Sequence, residues 1–222
     1  MGYDALLLDN DGVITEVTDR AMLRRAVVEA FRDMGVPDPA GEDVDSLVVG
    51  VTPERLERVC STYDIGPGPF WQRRDRRSWL VQARELRAGR KPLYDDVTAV
   101  LDRPLPVGVV SSNQHATVAA ILEHYGLGGS VDTFYGREMT VESLERKKPS
   151  PHYLERAAAD LGATAPLMVG DSEADIRAAD RAGMDSVFVR RPHRSDAALT
   201  VTPTYEVGSL SAVSDILDDG GP

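Results

Sequence analysis

Short apolar runs recur along the chain and alternate with stretches in which apolar residues fall at helical spacing. Residues 3–9, Tyr-Asp-Ala-Leu-Leu-Leu-Asp, hold one such run and end in acid. A run of four to eight apolar residues is what a parallel strand covered on both faces looks like. Similar runs stand at 106–110, 166–169 and 186–189. Helical patterns at 117–125, 152–161 and 174–182, the last stopped by Gly183, lie among them. Strand and helix in alternation predict βαβ units and an α/β fold on a parallel sheet. A final helix is expected over 209–217, with a frayed tail after it.

Residues 16–90 break that rhythm, because they read as helical throughout with no convincing strand. Thr18 can cap a helix whose Met22, Leu23, Ala26, Val27, Ala30, Phe31 and Met34 share one face, and Gly35 and Pro37 stop it. Thr52-Pro53-Glu54 is a second start signal, with proline at the first helical position. A third helix is expected over 69–87. The chain therefore divides into a core of 1–15 and 91–222 and an inserted helical domain of 16–90.

Composition narrows the function classes. At 222 residues, 42% hydrophobic and 27% charged, the chain is globular in composition. No apolar run approaches the roughly 18 residues that cross a bilayer. Asp4 and Asp9 interrupt the first apolar stretch with no basic segment ahead of it, so a cytoplasmic monomer or homodimer without a secretory leader is expected. The single Cys60 excludes an internal disulfide. The net charge of -11 argues against nucleic acid as a partner. Only three basic residues are lysines, a bias that fits either a salt-adapted surface or a GC-rich genome.

Four short polar motifs follow predicted strands or open predicted helices, at the sheet edge where ligands bind in open α/β folds. They are Asp9-Asn10-Asp11-Gly12-Val13, Ser111-Ser112-Asn113, Lys147-Lys148-Pro149, and Gly170-Asp171-Ser172-Glu173-Ala174-Asp175. In this order they resemble the haloacid dehalogenase-like hydrolase superfamily, whose members show an Asp-x-Asp motif, a Ser or Thr, a Lys, and a late acidic motif. The resemblance covers nearly the whole chain. It implies a Rossmann-like parallel core with an all-helical C1 cap at 16–90, and an enzyme similar to phosphoglycolate phosphatases.

Carboxylates beside a phosphate dianion repel unless a cation stands between them, and Mg²⁺ prefers oxygen ligands. Asp9 can attack phosphorus and form an aspartyl-phosphate, with Mg²⁺ held by Asp9, Asp171 and a backbone carbonyl. The resemblance assigns that carbonyl to Asp11, whose side chain is then free for acid–base work. Ser111, with Ser112 and Asn113, would hold the phosphoryl oxygens. Lys148 would neutralise charge on phosphate and Asp9, and Asp175 would orient Lys148 or a metal-bound water. Ser112 or Asn113 is also expected to cap the following helix, Lys147 to be a solvated neighbour, and Glu173 a first-turn helix charge. His115, His124, His152 and His193 are scattered and are assigned to no metal site.

Position 10 is usually apolar in the superfamily, and Asn10 is expected to face the cap or the site entrance. Asp11 favours phosphate over halide chemistry, because a halide leaving group needs no proton. Arg73, Arg74, Arg76 and Arg77 are either a clamp for a substrate carboxylate or partners of acids on a helix surface. A small phosphorylated metabolite is the expected substrate. A phosphosugar mutase of the β-phosphoglucomutase type is the alternative, and a receiver-like phospho-binding module lacks the helical insertion.

Overall fold

A computed structural model describes residues 2–219. The chain alternates as expected, beginning with β1 (Ala5–Leu8) and followed by four helices, α1 (Arg20–Asp33), α2 (Gly41–Ser46), α3 (Pro53–Thr62) and α4 (Pro67–Arg87). The next elements are α5 (Thr98–Leu101), β2 (Val107–Gln114), α6 (His115–His124), β3 (Thr133–Arg137), α7 (Ser143–Arg146) and α8 (His152–Leu161). The chain then forms β4 (Pro166–Gly170), α9 (Glu173–Ala182), β5 (Asp185–Val189), β6 (Tyr205–Val207) and α10 (Leu210–Asp218). The fraying expected at the extreme end falls partly on 220–222, outside the described residues. No described helix is long and apolar enough to cross a membrane.

The six strands form one sheet in the order β3-β2-β1-β4-β5-β6. Leu7 of β1 lies opposite Gly108 of β2 and Met168 of β4, both in parallel register. Alternation along β1 sorts its side chains to two faces. Leu6 and Leu8 pack with residues of α5, α6 and α10, while Leu7 packs with Tyr153, Leu154 and Ala157 of α8 and with α9. Both faces are covered, which is why the strand reads as an unbroken apolar run. Gly108 is part of that packing, since a Cβ there would lie 2.8 Å from Leu7 Cδ2. The chain crosses from one side of β1 to the other between β3 and β4. That makes the β1–β4 boundary the switch point where a crevice opens at the strand ends.

The chain divides into two compact units, and the division differs from the expected one. The sheet unit comprises 1–17, 92–136 and 147–222, whereas the helical unit comprises 18–91 and also 137–146, which the sequence reading placed in the core. Charge is unequal between them. The sheet unit carries nine basic against 21 acidic side chains, a net of -12, and the helical unit carries 16 against 15.

Aromatic packing of Phe31 on Phe70, 4.6 Å between centroids, centres the helical unit. Its start signals are partly corrected. Asp19, not Thr18, caps α1 through a 2.7 Å bond from Ala21 N–H, while Thr52 caps α3 as expected. The added segment is held by ion pairs within this unit. Asp75, fully buried, accepts a two-pronged guanidinium from Arg137 and a 2.9 Å bond from Arg74. Arg74 also donates to the carbonyls of Leu47 and Val48 after α2, and both guanidiniums lie over the Trp71 ring at 4.8 and 4.9 Å.

Two outcomes follow from these burials. Asp75→Asn removes the carboxylate charge shared by two buried guanidiniums, and breaking such a buried network costs about 3–5 kcal/mol. Trp71 and Trp79 are the only tryptophans, and both stand in the helical unit, so the loss should show as an earlier urea transition by tryptophan fluorescence. Asn10, expected to face the cap or the site entrance, is wholly buried, and neither its Oδ1 nor its Nδ2 has a hydrogen-bond partner among the described residues. An unpaired buried polar group costs about 1–3 kcal/mol. Asn10→Leu should therefore raise the urea midpoint of the sheet unit, read by far-ultraviolet circular dichroism; a fall would mean that the amide is needed.

Candidate active site

The polar motifs converge at the strand ends beside the switch point. Asp9 follows β1, and its N–H continues the ladder to Val169 O at 2.9 Å. Asp171 follows β4, the next strand in the sheet. Oxygens of Asp9, Asp171 and Asp175 lie within 4.8 Å of one another, and all three residues are buried. Asp175 reaches this group because α9 starts immediately after β4, and because Gly170 has no side chain. A Cβ on Gly170 would lie 2.2 Å from that of Asp175. Asp175 Oδ2 accepts from Ser172 N–H at 3.0 Å and from its hydroxyl at 2.6 Å, closing the first turn of α9.

Lys148 enters the same group from the turn between α7 and α8. Its Nζ lies 2.8 Å from Asp9 Oδ1, 2.6 Å from Asp175 Oδ1 and 2.8 Å from the carbonyl of Val110. Burial alone would lower the Lys148 pKa, but the Asp175 and Asp9 carboxylates outweigh it and hold the ammonium above its ordinary range. Burial is also the largest influence on Asp9. With repulsion from Asp175 and Asp171 it outweighs the attraction of Lys148, so the Asp9 carboxyl is pushed well above the usual carboxylate range. Asp9 Oδ1 additionally accepts from Asn10 N–H at 2.7 Å, which leaves Oδ2 without a hydrogen bond among the described residues.

These donors suit a hard divalent cation. They are clustered carboxylate oxygens, the cluster holds more negative charge than one lysine neutralises, and the two members that follow neighbouring strands each keep an oxygen without a hydrogen bond among the described residues. Asp9 and Asp171 are the members available to it, because Asp175 is already committed to Lys148 and Ser172. The carboxylate of Asp11 lies outside this cluster and accepts instead from Asn113 Nδ2 at 2.9 Å.

The second motif is placed differently from its expected capping role. Strand β2 extends through Ser111, Ser112 and Asn113 to Gln114, and Gln114 is the residue preceding α6. Neither Ser112 nor Asn113 caps the helix. Ser111 Oγ accepts from Asn113 N–H at 3.1 Å, so its own hydroxyl hydrogen is available to donate. Glu173 behaves as a helix charge, taking Arg177 Nε at 2.7 Å and Thr200 Oγ1 at 2.6 Å.

Two further placements bear on substrate reading. Arg77 pairs with Asp33 and Glu29, and Arg74 with Asp75, so both answer acids of their own unit. Arg73, Arg76 and Arg77 line a cleft of about 300 Å³ with Asp33 and Leu80. His193, left unassigned by sequence, lies with Nε2 2.6 Å from Asp171 Oδ2, and Arg194 Nε lies 3.4 Å from the same oxygen. No local pattern marks this pair, since the partner stands 22 residues earlier.

Known proteins resemble this chain in sequence and fold. Pyrophosphatase PpaX of Anoxybacillus flavithermus is 24% identical over 98% of each chain. Phosphoglycolate phosphatase of Yersinia pseudotuberculosis is 30% identical over 79% of this chain and 75% of its own. The crystal structure of CbbY from Rhodobacter sphaeroides in complex with phosphate has the same fold, with a TM-score of 0.73 at 20% identity over 95% of this chain and 96% of that one. The family model for haloacid dehalogenase-like hydrolases matches residues 3–183. With the acidic strand ends and the buried lysine in place, the chain belongs to the haloacid dehalogenase-like hydrolase family.

Proposed function

We propose that the protein is a Mg²⁺-dependent phosphatase of a small phosphorylated metabolite, working through an aspartyl-phosphate on Asp9. The observation that carries this reading is the contact of Lys148 Nζ with both Asp9 and Asp175, beside an Asp9 Oδ2 that nothing else engages. Asp9 Oδ2 attacks phosphorus as the bond to the leaving oxygen breaks, and Asp11 gives that oxygen its proton. Asp11 then takes a proton from the water that attacks the phosphorylated Asp9, which releases phosphate and restores both carboxyl groups. Ser111 donates its hydroxyl to the phosphoryl oxygens, and Lys148 holds negative charge on them and on Asp9. Asn113 fixes the Asp11 carboxylate through its 2.9 Å bond. Held by Asp9, Asp171 and the main-chain carbonyl of Asp11, Mg²⁺ would screen carboxylates from phosphate and polarise the phosphoryl oxygens.

Phosphoglycolate-like esters are the leading substrate class, with the helical unit as the selecting cap. The relatives named as pyrophosphatases make pyrophosphate a second candidate. A β-phosphoglucomutase-type transfer, returning the phosphoryl group to a sugar hydroxyl instead of water, is the alternative reaction. Phosphate release from a panel of phosphoglycolate, pyrophosphate and hexose phosphates separates these readings.

Aryl phosphate hydrolysis should vanish on exhaustive treatment with EDTA and return with Mg²⁺; full turnover without metal would overturn the proposal. Asp9→Asn should abolish turnover of every substrate. Asp11→Asn should act according to the leaving group, since general acid help is worth about 10²–10⁴-fold for an alkoxide and a nitrophenolate scarcely needs it. Single-turnover bursts on alkyl and aryl esters should show a much larger loss for the alkyl ester. Equal losses would assign Asp11 a structural role.

A further inference from the structure

Asp171 takes its side-chain partners from the loop leaving β5. His193 Nε2 lies 2.6 Å from Asp171 Oδ2, and Arg194 Nε reaches the same oxygen at 3.4 Å. Asp171 Oδ1 has no hydrogen bond among the described residues. A carboxylate pinned through one oxygen presents the other in a fixed direction, which is how outer groups orient metal ligands.

The loop that delivers His193 is anchored on both sides. Arg191, buried, makes two 2.8 Å bonds to Asp96, donates to the carbonyl of Val13 at 3.2 Å and lies 3.8 Å over the Tyr94 ring. Arg190 Nη1 donates to the carbonyls of Arg194, Ser195 and Ala197, gathering the loop beyond His193. Space for the pair comes from Gly12. A Cβ at this residue, whose φ is +87°, would lie 2.3 Å from Asp171 Oδ2 and 3.0 Å from His193 Nε2. The glycine of the first motif thus serves the loop after β5.

We infer that His193 is a positioning residue for the divalent cation, holding Asp171 through Nε2–H so that Oδ1 faces the ion. The inference rests on Asp171 being a metal ligand. A carboxylate oxygen accepts, so this role needs a hydrogen on Nε2, and no protein group engages Nδ1 among the described residues. The hydrogen bond of His193 among the described residues goes to Asp171, so the role assigned to it acts on the cation site through that carboxylate.

Calorimetric titration of Mg²⁺ into the metal-free, full-length protein tests this without turnover. His193→Ala should weaken Mg²⁺ binding by about 10–100-fold, the usual loss when such an outer partner is removed. His193→Gln, whose amide N–H can reach the same oxygen, should restore most of it. Thermal melts of the metal-free variants check that the fold is kept. Asp171→Asn should lose binding altogether. If His193→Ala binds Mg²⁺ as the wild type does, or more tightly, the inference is overturned and the metal reading stands. If the wild-type protein itself takes up no Mg²⁺, both are overturned.

Discussion

Three buried carboxylates whose oxygens crowd within 4.8 Å would repel one another strongly in a dry site, and Lys148 is the ammonium that offsets this repulsion from within the fold. Its position decides much of the surrounding geometry. It ties the end of β1 to the first turn of α9 and to the last apolar residue before the β2 hydroxyls, Val110. Three segments far apart in the chain are thereby held at one point of the sheet edge. The negative charge that Lys148 leaves unanswered is what the proposed cation would meet, so the ion pair and the proposed metal site have the same origin.

The inner strands and their acids were legible because both faces of the sheet are covered. Leu6, Leu7 and Leu8 face opposite sides yet are all buried, which writes a continuous apolar run, and the acid after it marks the strand end. The edge strands carry no such mark. Thr133, Phe134 and Tyr135 of β3 are only half-buried, and β6 has three residues with Glu206 exposed. Their short, mixed segments read as loop.

What stayed hidden depends on long-range pairing. Asp75 carried no assignment from the sequence, and nothing near it foretold Arg137, 62 residues on. That pair is why 137–146 belongs with the helices although it leaves β3 of the sheet. His193 is the same case at the acidic cluster: a histidine after a strand is ordinary until Gly12 and Asp171 are brought beside it. Asn10 stands where the superfamily usually has an apolar residue, and the fold buries it as it would an apolar side chain.

The division of charge between the two units has a consequence for how each answers its medium. All the excess negative charge lies on the sheet unit, and the helical unit is close to balanced with one more basic than acidic side chain. Self-repulsion on that scale acts over about 8 Å at physiological ionic strength and shrinks as salt rises. Screening by dissolved cations should therefore matter more to the sheet unit than to the helices, and low salt should weigh first on the unit with the excess negative charge.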